Sequence, residues 1–178
     1  MSIQTVQDGI CRYFGGPYDE TTRTYRSSPL VKYGVGVVRR AWAKDDNLAD
    51  YFHGQDPGAR TGVQIVVYIP RSSETRFAVG GAHGGHKNVV YEVQLCCYIR
   101  SRAAHAEDAQ DDVHALRDAL VEHLRADRTL GGAVFEAGEH VDGGNGSIDF
   151  EYGQPETRSQ LTKSFVLMTF PALEIIQA

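Results

Sequence analysis

Tyr91-Glu92-Val93-Gln94-Leu95-Cys96-Cys97-Tyr98-Ile99 is the stretch on which the fold turns. Side chains alternate across a strand, so Tyr91, Val93, Leu95, Cys97 and Ile99 share one face. Glu92, Gln94, Cys96 and Tyr98 share the other. The first face is apolar and the second mixed, as in a strand with a core on one side. Downstream the period changes to that of a helix. From Ala106 to Asp127, the residues Ala109, Val113, Leu116, Leu120 and Leu124 form one apolar stripe. Glu107, Asp108, Asp111 and Asp112 crowd the first turns, and Arg125 and Arg128 lie at the end, matching the helix dipole. Gly131-Gly132 offers a left-handed exit.

Working outward, the N-terminal segment also reads as a helix, over residues 2–14. Ile3, Val6, Ile10, Tyr13 and Phe14 make its stripe, Ser2 can cap it, and Gly15-Gly16-Pro17 stops it. Tyr18 to Ser28 is polar, with at most a short strand around Thr22 to Arg26. Leu30 to Trp42 alternates through Val31, Tyr33, Val35 and Val37, with Gly34 and Gly36 opposite. A loop-rich insertion is expected over about residues 43–61. Val63 to Ile69 reads as a strand ended by Pro70, and Arg71 to Asn88 as a loop. Ala133–Ala137 and Ile148–Tyr152 read as strands around Asn145-Gly146, a hairpin signal. Phe165 to Phe170 is almost continuously apolar, as a central strand covered on both faces would be. Leu173 to Ile176 reads as a final short strand. The expected fold is α+β: a single mainly antiparallel or mixed β-sheet with two α-helices packed on it, in one domain over residues 1–178.

Composition narrows the function. A chain of 178 residues suits one domain and buries roughly 70% of its unfolded surface without a staple. Hydrophobic residues at 42% and charged residues at 23% are ordinary for a globule and exclude disordered, collagenous and coiled-coil chains. No apolar run approaches the roughly 20 residues of a membrane span, and no secretory signal opens the chain, so a soluble, cytoplasmically made protein with no membrane partner is expected. Eighteen Lys and Arg against 23 Asp and Glu give −5, which leaves no surplus for a large basic face gripping nucleic acid. Fourteen of those cations are arginine, a bias read either as GC-rich codon usage or as a preference for polar interfaces. Three cysteines, an odd count, argue against a disulfide framework.

Each suggestive cluster stops short of a catalytic or ligand-binding pattern. In Gly80-Gly81-Ala82-His83-Gly84-Gly85-His86-Lys87 the glycine spacing of a phosphate loop is present, but His86 holds the lysine position and Asn88 follows Lys87. His83 and His86 could converge on a metal, yet His53, His140 and a cysteine are the only obvious further ligands, none at characteristic spacing. Ser147 lacks a nucleophile-elbow frame. Cys11 reads as a packed thiol in the first helix, and Asp149 and Glu151 as the solvent face of a strand. His114 and His123 lie off or beside the long helix's stripe and read as half-exposed. Asn145-Gly146-Ser147 matches a glycosylation acceptor but reads as a turn. The expectation is no catalytic residue, no metal and no cofactor.

From Val63 onward, over about two-thirds of the chain, a resemblance to a known family can be stated. Its carriers are Tyr91-Glu92-Val93-Gln94-Leu95 and the helix Asp111-Asp112-Val113-His114-Ala115-Leu116-Arg117-Asp118-Ala119-Leu120, running out through Leu124 to Gly132. Val134-Phe135-Glu136-Ala137-Gly138-Glu139 and the ending from Leu161-Thr162-Lys163-Ser164-Phe165 to Glu174-Ile175-Ile176 complete them. These segments resemble the tail terminator (tail completion) proteins of long-tailed bacteriophages, of siphophage type, from GC-rich hosts. Residues 18–61 and the His83/His86 loop carry none of the resemblance.

The resemblance implies a small α+β subunit of a ring, usually a hexamer. Such a ring caps the finished tail tube, stops its polymerisation and docks the head connector. Its partners would be copies of itself, the major tail tube protein and a head-completion or connector protein. Its place would be the tail-neck junction of the virion, after assembly in the host cytoplasm. Globules of this length are ~40 Å wide, so six in a hexagon leave a lumen ~40 Å across. Genomic DNA would pass through that lumen without specific binding, as suits an acidic chain. Arg71, Arg76, His83, His86 and Lys87 in one loop region, and Glu139, His140 and Asn145 in the other (Glu139 to Ser147), are the expected interaction residues. Another neck protein, a head-completion or stopper protein, is the runner-up. A metal-dependent hydrolase using His83 and His86 is a third reading.

Overall fold

A computed structural model describes residues 2–40, 42, 47–76 and 85–177, and only the backbone of Asp142. Among the described residues, nine strands form one sheet: β1 (Tyr18–Asp19), β2 (Thr24–Arg26), β3 (Val35–Arg39), β4 (Thr61–Arg76), β5 (His86–Ser101), β6 (Glu136–Ala137), β7 (Asp149–Tyr152), β8 (Glu156–Arg158) and β9 (Leu161–Gln177). The order is β1-β2-β3-β4-β5-β9-β6, with β7 and β8 also paired to β9. Every described pairing is antiparallel except β3 with β4, so the sheet is mainly antiparallel, as the residue patterns predict. Helices α1 (Ile3–Gly15) and α3 (Ala106–Ala126) are long; α2 (Leu48–Tyr51) and α4 (Val141–Gly144) are single turns. No described helix is long and apolar enough to cross a membrane.

The alternation in Tyr91–Ile99 organises the core. Tyr91, Val93, Leu95, Cys97 and Ile99 are all buried, and register carries their face across three strands. Val67, Leu95 and Met168 form one row, and Ile65, Cys97 and Val166 the next. Val6, Ile10 and Phe14 of α1 and Leu116, Leu120 and Leu124 of α3 complete the same cluster. Each buried Leu or Ile contributes about 2 kcal/mol of transfer free energy. The two helices are clasped at their ends. Tyr13 Oη donates to the His123 carbonyl at 2.6 Å, and the two rings stack at 4.3 Å. Ser2 accepts from the Thr5 N–H, and Gly16, at φ +81°, closes α1 as expected.

Several expectations are corrected. Pro70 does not end its strand, and Arg71 to Asn88 is not a loop. β4 runs on to Arg76, and β5 begins at His86, pairing as far out as Arg76 with Lys87. A bulge between Tyr68 and Arg71 absorbs the proline, whose missing N–H breaks no rung of the ladder. Val31–Tyr33 is a 3-10 turn rather than strand, because the Gly34 N–H turns back to the Val31 carbonyl at φ +93°. The insertion at 43–61 contains α2, capped by the Asn47 side chain on the Ala49 N–H. Only Glu136–Ala137 of the segment 133–137 is strand. Asn145-Gly146 joins no hairpin, since β6 and β7 pair with β9 and not with each other. Phe165 to Phe170 alternates between half-buried and buried, so its strand is covered fully on one face only. The end of the chain is no separate strand, because β9 is continuous through Pro171. Finally, α3 stops at Asp127 in an extended conformation, and Gly131 and Gly132 belong to the turn beyond it.

Candidate interaction surface

The two faces of the sheet differ. Opposite the helices, the face consists of Tyr68, Gln94 and Thr169 in one row, then Val66, Cys96 and Leu167, then Gln64, Tyr98 and Phe165. Among the described residues, helix α2 packs over its lower corner, and Gln64, Val66 and Cys96 on this face are buried. There Asp50 accepts from Arg39 Nη2 at 2.5 Å and from Arg26 Nη2 at 3.3 Å, and Tyr51 lies under the Arg100 guanidinium. Beyond α2 the face carries aromatic pairs: Trp42 with Tyr68, ring centres 5.4 Å apart, and Tyr98 with Phe165 at 5.2 Å. Trp42 is 51% exposed, and its partner Tyr68 is exposed too.

Above this face the sheet projects as a three-stranded arm. Register aligns Arg71 with Glu92 and Pro171, Ser73 with Val90 and Leu173, and Thr75 with Asn88 and Ile175. At the base of the arm, a cleft of about 410 Å³ is lined by Arg71, Ser73, Glu92, Asn145, Ser147 and Asp149, among others. Inside it Ser147 Oγ donates to Asp149 Oδ2 at 2.7 Å. Gln94 Nε2 donates to Glu92 at 3.3 Å. The cleft mixes both signs of charge in an exposed setting, which suits contact with another polar surface.

Of the residues expected to act at a surface, Arg71 and Asn145 meet at this cleft. Arg76, His86 and Lys87 lie at the outer end of the arm, where Lys87 approaches Glu74 at 3.6 Å. Glu139 is elsewhere, accepting a two-pronged contact from Arg125 at 2.5 and 3.0 Å, with His140 exposed beside it. His83 lies outside the described residues. Ser147, at the end of the expected loop, also lines the cleft, whereas Glu92, Asp149 and the aromatic pairs were not expected there. Strand alternation alone placed Asp149 and Glu151 on an exposed face, but not opposite the helices. Only the register of β7 on β9 does that.

The titratable chemistry is that of a packed scaffold. Burial pushes the thiols of Cys11 and Cys97 far up, and that of Cys96 to about 11, so all three stay protonated at neutral pH. Among the described residues, no group of three or more His, Cys, Asp or Glu side chains converges to hold a metal. No family model matches the chain, and no curated protein matches it either.

Proposed function

We propose that this chain is a structural subunit of a closed ring of identical copies, the tail terminator of a long-tailed phage. In this reading the ring caps the finished tail tube at the junction with the head, and works by assembly rather than catalysis. The resemblance from Val63 onward motivates the assignment. The observation that carries it furthest is the asymmetry of the sheet. One face is covered by α1 and α3, while the other carries the exposed Trp42 and Tyr68, a half-buried Tyr98–Phe165 pair and the extended arm. A fold that needed only to be stable would gain by covering Trp42 and Tyr68; a subunit leaves such residues for a neighbour.

A ring closed by rotation uses two different faces of each copy. The helical side and the opposite side, which bears Trp42 and Tyr68, supply two such faces. Mass photometry and electron microscopy, on the chain alone and with a phage tail tube subunit, test this reading. Rings of one size are expected. A chain that stays monomeric in both settings would overturn it.

A further inference from the structure

Charge is divided across this sheet. Residues 2–105 build β1 to β5, α1 and α2, and hold 13 Lys and Arg against 9 Asp and Glu, a net +4. Residues 106–178 build α3, α4 and β6 to β9, and hold 5 against 14, a net −9. Strand order keeps the two sets apart: β1 to β5 make one half of the sheet, and β9 with β6, β7 and β8 makes the other. The long helices follow the same division. α1 packs on β2, β3 and β4, while α3 sets His114 against Tyr152 of β7 and Arg117 over Phe150. The residues outside the description are included in these sums and cannot reverse them. Residues 41 and 43–46 carry −1 in all, and 77–84 carry no Lys, Arg, Asp or Glu.

Much of each charge is answered nearby. In the first half Arg26 and Arg39 share Asp50, Arg40 holds Asp8 and Lys87 approaches Glu74. In the second, Arg125 holds Glu139, Arg128 holds Glu136 and Arg158 holds Glu156. Arg60 reaches across to Asp112. The remainder lies toward the margins. Arg12 near the end of α1, Arg23 in the turn between β1 and β2, and Lys32 in the 3-10 turn before β3 are exposed and belong to no described ion pair. Glu20 is an exposed acid among them. On the far side, Asp149 and Glu151 of β7 are exposed and in no described ion pair, as are Glu107, Asp111 and Glu122 of α3.

These two sets cannot answer each other within one chain. From β1 to β7 is six strand spacings, ~29 Å, about three times the Debye length of ~8–10 Å at physiological salt. A second copy can bring them together. Both sides of the sheet run out to the same two margins, so a neighbour turned about a ring axis presents its opposite margin. A rotational ring needs this kind of contact, one surface against a different one. Pairing the same margins about a twofold would set like charges together, which disfavours the competing dimer.

We infer that copies join margin to margin, the basic margin with Arg12, Arg23 and Lys32 meeting the acidic margin of the next copy with Asp149 and Glu151. This deepens the ring reading and rests on it. The contact is between side chains and asks for no continuation of the sheet from one copy to the next.

The test reverses one margin at a time in the full chain. Asp149→Lys with Glu151→Lys reverses the β7 margin, and Arg23→Glu with Lys32→Glu reverses the other. All four side chains are exposed, so circular dichroism should show the parent fold in both variants. Mass photometry then follows each variant alone and the two mixed, with and without a phage tail tube subunit, wherever the parent forms rings. Neither variant alone is expected to close a ring. Their mixture should, because opposite signs meet at every contact of an even, alternating ring. The chain carrying all four changes should close rings by itself. Rings from either double variant alone, in the parent's amount, would overturn the margin contact and leave the ring reading standing. A mixture that stays monomeric would overturn it too, since the reversals would then act by something other than pairing. A parent chain that closes no ring in either setting would overturn both.

Discussion

Gly36 lies in β3 directly beneath α2, where a methyl group would sit 2.3 Å from the Asp50 carbonyl oxygen and 2.5 Å from that of Tyr51. Backbone cannot yield as a side chain can, so Gly36→Ala is expected to cost about 2 kcal/mol or more. Gly58, with nothing within 4 Å, is the control, and Gly58→Ala should be nearly neutral. Urea unfolding of the two variants checks this; equal midpoints would show that α2 does not press on the sheet. Asp112 makes a second prediction. Burial opposes its ionisation, but hydrogen bonds from Arg60 and Thr61 outweigh it and hold the carboxyl below its ordinary range. A lowered folded pKa contributes stability above the unfolded value of ~3.9, lost as pH falls through the folded one. The stability gap between the parent and Asp112→Asn should therefore shrink as pH drops from ~6 to ~3. A gap independent of pH would contradict the assignment. At this scale the sequence was informative about parity and silent about partners. It set Gly36 opposite the apolar residues of its strand, yet Arg60 and Asp112 lie far apart in the chain, and no local pattern joins them.

The strands and helices were legible where a single period ran unbroken. Tyr91–Ile99 and the α3 stripe appear in the structure as read, because their alternation and their 3.6-residue repeat are each set by one buried face. The arm was hidden for a physical reason. Arg71–Arg76 is exposed throughout and so has no apolar alternation, and Pro70 imitates a strand end unless a bulge absorbs it. Register was hidden too: Asn145-Gly146 has hairpin chemistry, but β9 offers a longer partner to both flanking strands than they offer each other. The true hairpin nearby is Ser159-Gln160, joining β8 to β9 where Arg158 pairs with Leu161. Both turn residues lie at positive φ, +46° and +67°, a strained choice for side chains in a two-residue turn. Ser159→Asn with Gln160→Gly is expected to stabilise the chain by about 0.5–1 kcal/mol. Thermal unfolding reads that directly, and a lower midpoint would mean that the original side chains make compensating contacts.

For the molecule as a whole, net charge −5 leaves no surplus for gripping DNA. Among the described residues, the exposed Trp42 and Tyr68 and a mixed-charge cleft at the base of the arm are the features the proposed ring would use. Much of that surface could not be read from residues alone, since it arises from which strands neighbour one another. The central claim is that this surface closes a ring on the end of a tube. Its most direct test is the length of tail tubes assembled from their subunit with increasing amounts of this chain. The account predicts tubes that stop growing and carry one ring at a single end. Tubes that grow unchanged, with bare ends at every ratio, would contradict it.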